Sequence, residues 1–167
     1  LLDIEKYLHG KSIVVVGNAS SLIFRNNHGE FVDQHDVVVR LNKYLTHPNC
    51  GFKTDIVALS LHGIQVLPEV KHIMWMTPKK ITDIRDPRQY IYSSKLWKSL
   101  YEKLQHRPST GCMVCDLLAN ILNLSIDVVG FDFWQSPTTY TGEIRPGPHS
   151  PNVEKSYLRS IKNINFQ

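Results

Sequence analysis

Among the 167 residues, no apolar run approaches the roughly 20 needed to span a membrane as a helix. Cysteine is scarce: there are three, an odd number, and two of them are close neighbours at Cys112 and Cys115. That is not the framework of a small secreted domain, and it points to a reducing compartment. No stretch reads as a signal peptide, and the chain begins at Leu1 rather than Met, as a trimmed chain would. The sequence lacks GxGxxG and GxxxxGK[ST], which argues against a standard dinucleotide fingerprint or P-loop. It also lacks a second CxxC or a spaced His pair that would complete a structural zinc site with Cys112 and Cys115; a redox pair at a helix start fits the spacing, but both thiols sit among core residues and are expected to pack there.

What is present is globular. Hydrophobic residues make up 42% and charged residues 20%, enough apolar material for one domain over residues 1–167 without staples. The net charge of +4 suits an anionic ligand and is too mild to argue for nucleic acid.

Apolar and amphipathic segments alternate along the chain. "LDIEKYLHG" predicts a short helix that ends at Gly10, and "SSLIFRNNHGEFVDQH" a short helix and a loop. Strands are predicted at 13–16, 36–42, 55–61, 72–77 and 126–133. Leu96, Leu100 and Leu104 share one face of a helix over 93–106, and 112–122 is helical with Asp116 and Asn120 on one edge. Ser150 and Pro151 open a final helix. Continuous apolar strands alternating with helices predict an α/β fold, a Rossmann-like and mostly parallel sheet flanked by helices. Ligands in such folds bind beyond the carboxyl ends of the strands, at a switch point.

Four places carry residues suited to chemistry. In "IVVVGNASS", Gly17 lets the backbone be approached and Asn18 can donate and accept; the same stretch also fits a plain strand-to-helix turn. In "RPSTGCMVC", Ser109, Thr110 and Gly111 precede a buried helix, where hydroxyls cap the helix or meet a phosphate or ribose. In "HSPNVE", His149 lies ahead of a helix N-terminus whose dipole keeps the ring neutral and able to accept a proton. Glu154, in that helix's first turn, can fix the ring or favour its charged form. Tyr140, seven residues past Phe133, offers a phenol on the intervening loop. The basic stretch Lys79–Arg88 reads as a solvated loop that can also meet an acidic acceptor. There is no Asp-x-Asp triplet of the kind that holds a divalent metal for transfer from sugar diphosphates, so no metal is expected.

Taken in order, these stretches resemble the sialylmotifs of sialyltransferases. "VVVGNASS…DQHDVVVRLN" resembles the large motif, "PSTGCMVCDLLANILNLSIDVVGFDF" the small motif, and "HSPNVE", with four residues between His and Glu, the very small motif. The match spans about residues 11 to 160. "GFDFWQSPTTY" and the downstream His-Ser are also similar to bacterial sialyltransferases. The resemblance implies a GT-A-like variant of the Rossmann sheet and an inverting, metal-independent CMP-sugar glycosyltransferase, active on a glycan acceptor that is lipid-linked or an oligosaccharide. It implies that Asn18 and Asn42 touch the CMP phosphate and ribose, with Gly17 beside them, and that Ser109, Thr110 and Gly111 hold the nucleotide. Gly130 and Phe131 would line the cytidine pocket, Tyr140 would bond the departing phosphate, and His149, with Glu154, would be the general base.

The departures are informative. The cysteine pair that animal members share between the large and small motifs is missing, and so is the His-Tyr pair of their third motif. Bacterial members carry Tyr where this chain has Trp134. These features agree with a cytoplasmic microbial enzyme, of the kind that builds capsule or lipooligosaccharide, peripheral at the inner membrane face where its acceptor is lipid-linked. The chain is short for the family, so an acceptor-binding lid is expected to be small or missing. A Kdo transferase using CMP-Kdo, or a CMP-binding module without transfer activity, fits the same motifs. The sequence leaves the oligomeric state open.

Overall fold

Ile13, Val14, Val15 and Val16 are all β-branched and all buried, and they form β1 (Ile13–Val16). The computed structural model describes residues 2–25, 27–77 and 86–167. Six further strands are described: β2 (Val37–Leu41), β3 (Ile56–Leu59), β4 (His72–Trp75), β5 (Gln89–Ile91), β6 (Ile126–Val129) and β7 (Ile164–Phe166). All pair in parallel, in the order β5-β4-β3-β2-β1-β6-β7. The chain builds outward from β1 to β5 on one side and then returns to add β6 and β7 on the other. The switch point therefore lies between β1 and β6, where Val16 pairs with Val129.

Both faces of the sheet are covered, which is why the central strands are apolar without alternation. Ile13, Val15, Val37 and Val39 face the larger core. It is shared with α1 (Leu2–Leu8), α4 (Ser94–Leu104), α5 (Thr110–Cys115) and α6 (Pro151–Ser160). Val14, Val16, Val38 and Val129 face the smaller one, against Leu22 of α2 (Ser21–Phe24) and Val32 of α3 (Gly29–Asp33). No helix among the described residues is long and apolar enough to cross a membrane.

The sequence expectations hold for the alternation of elements and for the parallel sheet. Strands β5 and β7 were not anticipated: both are three-residue edge strands with polar neighbours. The predicted strand 126–133 stops at Val129, because Gly130 turns out of the sheet with φ 69°. The helix expected over 112–122 changes character midway: α5 runs into a π-helical turn, Asp116–Ile121. There buried Asp116 accepts hydrogen bonds from Asn120 Nδ2 at 2.9 Å and from Tyr157 Oη of α6 at 2.5 Å. Ser150 precedes α6 with Pro151 at its first position, but its side chain makes no capping bond. Cys50, Cys112 and Cys115 are buried free thiols, and burial raises the pKa of both Cys112 and Cys115. Of the basic stretch, Lys79, Lys80 and Arg85 lie outside the described residues, while Arg88 pairs with Asp86 at 2.7 Å.

Arg40, inside the apolar run of β2, has no exposed surface. Its guanidinium is satisfied by the chain that links β2 to β3. Nε donates to Lys53 O and Thr54 Oγ1, both at 3.0 Å, and Nη2 donates to Cys50 O at 3.1 Å and Gly51 O at 2.9 Å. Arg40 is thus the frame on which residues 45–54 are wound. Arg40→Met keeps most of the volume and strands these carbonyls, so it should cost about 3 kcal/mol of stability. Urea unfolding measures the loss, and hydrogen exchange should show residues 45–54 opening first.

Candidate active site

The carboxyl ends of β1 and β6, the start of α5 and the approach to α6 border an open cleft of about 710 Å³, a volume that includes space open to solvent. Gly17, Asn18, Asn42, Ser109, Thr110, Gly111, Gly130, Phe131, His149 and Glu154 all line it, although they come from stretches far apart in sequence. Tyr140 does not: it lies in the turn closed by Gly142 N–H donating to Thr138 O, 40% exposed and outside the ring of lining residues.

The glycines serve a purpose other than an open path for ligand. Gly17 N–H donates to Val129 O at 2.8 Å, which continues the sheet one residue past β1. A Cβ on Gly17 would stand 2.2 Å from Gly130 O and 2.7 Å from the Phe131 ring, and one on Gly111 would stand 2.7 Å from the same ring. Phe131 is therefore wedged between two residues that must lack side chains.

The amides are partly committed. Asn18 Nδ2 donates to Leu41 O at 2.8 Å, which locks the side chain across to β2, and among the described residues no donor reaches its Oδ1. Asn42 adopts the left-handed region, at φ 49°, where Asn is tolerated. Its Oδ1 accepts from Ser60 N at 2.8 Å and its Nδ2 donates to Thr110 Oγ1 at 3.2 Å, while Thr110 donates to Ser60 Oγ at 2.8 Å. Asn42 thus ties the ends of β2 and β3 to the start of α5.

His149 Nδ1 donates to Arg107 O at 2.7 Å. The bond fixes the tautomer, so Nε2 carries the lone pair of the neutral ring. Burial lowers the pKa of His149 below the usual histidine value, the bond to Arg107 O opposes this, and the nearby Arg107 charge adds to the lowering. Trp134 stacks on the ring, with centroids 5.7 Å apart and planes 19° from parallel. The anticipated partnership of His149 with Glu154 is replaced by these contacts. Glu154, 2% exposed, accepts from Ser109 N at 2.7 Å and from Ser109 Oγ at 2.6 Å. Ser109 Oγ in turn accepts from Cys112 N at 3.2 Å and so caps α5.

Sequence reasoning gave no site role to Asp132, Trp134, Ser136 and Thr138, all of which line the cleft. Asp132 Oδ2 accepts from Ser136 N at 2.9 Å and from the Ser136 hydroxyl, and pins the loop after β6. Phe133 and Trp134 are consecutive non-glycine residues at φ 54° and 60°. Such backbone persists where the surroundings enforce it, often at functional sites. Among the described residues, no three His, Cys, Asp or Glu side chains form a metal-binding group.

A second cleft opens beyond Asn42, Thr110 and His149, which line both. Ser60, Leu61, Trp97 and Arg107 complete much of its wall.

No protein-family model matches the sequence, and no curated protein matches it significantly. Solved structures do. A mammalian sialyltransferase in complex with Gal-beta-1-3GalNAc-ortho-nitrophenol aligns with a TM-score of 0.72 at 21% identity, over 98% of this chain and 71% of that one. Another mammalian sialyltransferase structure aligns with a TM-score of 0.69 at 23% identity, over 94% of this chain and 68% of that one. The chain has a sialyltransferase-like fold.

Burial raises the pKa of Glu154 to about 7, against the two bonds from Ser109, which lower it. A carboxyl raised in the folded state holds a proton that the unfolded chain releases near pH 4.5. Its contribution to stability is full below that value and is lost as pH rises through about 7. The difference in unfolding free energy between wild type and Glu154→Gln should shift by on the order of 3 kcal/mol across this window. Urea titrations at half-unit pH intervals measure it.

Proposed function

We propose that the protein is an inverting glycosyltransferase that moves sialic acid from CMP-sialic acid to a hydroxyl of a glycan acceptor, with His149 as general base. One observation carries the reading: three motif stretches separated by many tens of residues converge on one cleft, with a neutral, oriented histidine on its wall. The sialyltransferase-like fold supports the same class and favours sialic acid over Kdo as the sugar.

In this reading the nucleotide lies over Gly17 and Gly130. The free Oδ1 of Asn18 accepts from a ribose hydroxyl. Thr110 and Gly111, in the first turn of α5, supply N–H groups that have no intrahelical acceptor and face the phosphate. The acceptor occupies the second cleft, so its hydroxyl meets the donor across the wall that holds His149. His149 Nε2 takes the hydroxyl proton as that oxygen bonds to the anomeric carbon. The bond from that carbon to the phosphate oxygen breaks on the opposite face, and CMP departs with the electron pair. The charge that develops on the phosphate is met by fixed N–H dipoles, which need no reorganisation during the reaction. Such chemistry needs no metal, in keeping with the missing Asp-x-Asp triplet.

His149→Ala should lower kcat by about 10²–10⁴-fold, the usual worth of a general base. CMP affinity, read by calorimetry, should stay within a few-fold of wild type. Full activity in the variant would remove the base assignment. Incubation with CMP-sialic acid and with CMP-Kdo, followed by CMP release, separates the two donors; release from neither would leave a binding module.

Transfer should also persist after dialysis against EDTA. Activity that vanishes on chelation and returns with Mn²⁺ would replace the metal-free mechanism with a metal-assisted one.

A further inference from the structure

The second cleft has an asymmetric charge. Among its described lining residues there is one full cation, Arg107, and no carboxylate. Arg107 is exposed, and among the described residues its guanidinium forms no ion pair and no hydrogen bond. Arg40, Arg88 and Arg145 have polar protein partners, whereas Arg107, like Arg25 and Arg159, has none among the described residues and is the one of these three that lines a cleft. The backbone of Arg107 is tied to His149, since its carbonyl accepts the Nδ1–H of the ring at 2.7 Å, which sets where the arginine side chain begins relative to the imidazole. The guanidinium is also close enough to influence the ring electrostatically. Opposite lies Trp97 of α4, stacked on Tyr101 with centroids 5.3 Å apart, a rigid aromatic wall suited to the apolar face of a sugar ring.

We infer that the acceptor is an acidic glycan whose terminal sugar carries a carboxylate, sulfate or phosphate, and that Arg107 selects it by pairing with that group while His149 addresses the neighbouring hydroxyl. The inference rests on the proposed transfer reaction and deepens it by naming the acceptor class. Arginine suits the task because its planar fork of donors matches such anions and keeps its charge at any working pH. The donor sugar also has a carboxylate, but Arg107 lines the second cleft and not the first.

The test compares kcat/KM for a neutral oligosaccharide with that for its carboxylated, sulfated and phosphorylated counterparts, in wild type, Arg107→Ala and Arg107→Lys. Wild type should prefer the acidic acceptors, and the preferred one identifies the anion. The acidic-to-neutral ratio should fall about tenfold or more in the Ala variant, as expected for loss of a charged hydrogen bond, with partial recovery in the Lys variant. Higher salt should erode the ratio in wild type and leave it flat in the Ala variant. An unchanged ratio overturns the proposal. So does a rise in the KM for the CMP-sugar that is equal across all acceptors, which would assign the guanidinium to the donor carboxylate. Absence of transfer to every acceptor, by wild type as well, would instead overturn the transferase reading and this proposal with it.

Discussion

The site depends on one steric fact: Phe131 fills the space that two side chains would need. Gly17 ends β1 and Gly111 opens α5, and the same ring lies against both. Gly130 O presses on Gly17 as β6 leaves the sheet. Three segments remote in sequence are thereby held at van der Waals distance by a single aromatic residue. The walls of the first cleft follow from that contact. A methyl group at Gly17 would meet backbone, which cannot rotate away, whereas one at Gly111 would meet a ring that must be displaced. Gly17 is accordingly the stricter of the two positions.

A second layer of control is electrostatic and uses little formal charge. The described lining of the first cleft contains two carboxyl groups, Asp132 and Glu154, and no lysine or arginine. An anionic nucleotide would be opposed there if both carboxyls were charged and unpaired. Asp132 is consumed by the Ser136 N–H and hydroxyl. Glu154 is driven toward neutrality by burial while Ser109 solvates it from one side. His149 is kept neutral by the same physical cause, loss of water around the ring, with opposite sense for the two residue types. Burial thus lowers the negative charge of the cleft and favours a neutral imidazole in it.

Much of this was legible in the sequence because parallel sheets are covered on both faces. Runs such as Ile13–Val16 and Val37–Leu41 read as strands without alternation, and polar or small residues directly after them mark strand ends where ligands collect. The ordered motifs then indicated which strand ends belong together. What escaped has physical causes too. Edge strands β5 and β7 are held by one neighbour each, so they need no apolar pattern. Arg40 looks like an interruption of an apolar strand, because its partners are carbonyls that no residue type announces. Trp134 stacks on His149 only because Phe133 and Trp134 take left-handed backbone, a conformation that neither aromatic residue favours by itself. Gly17 was found for a reason the structure revises, since the close approach it permits is that of Gly130 and Phe131.

The division of labour around His149 follows from what each neighbour can supply. A carboxylate on Nδ1 would raise the basicity of the ring and favour its charged form. The Arg107 carbonyl orients the ring just as well without adding charge. Trp134 covers one face and removes water from it. The nearby guanidinium works against protonation. An imidazole held this way favours its neutral form, with Nε2 left to accept a proton. The same choice leaves the Glu154 carboxyl group free to hold Ser109 at the start of α5, where the Ser109–Gly111 loop and the helix that follows His149 are joined.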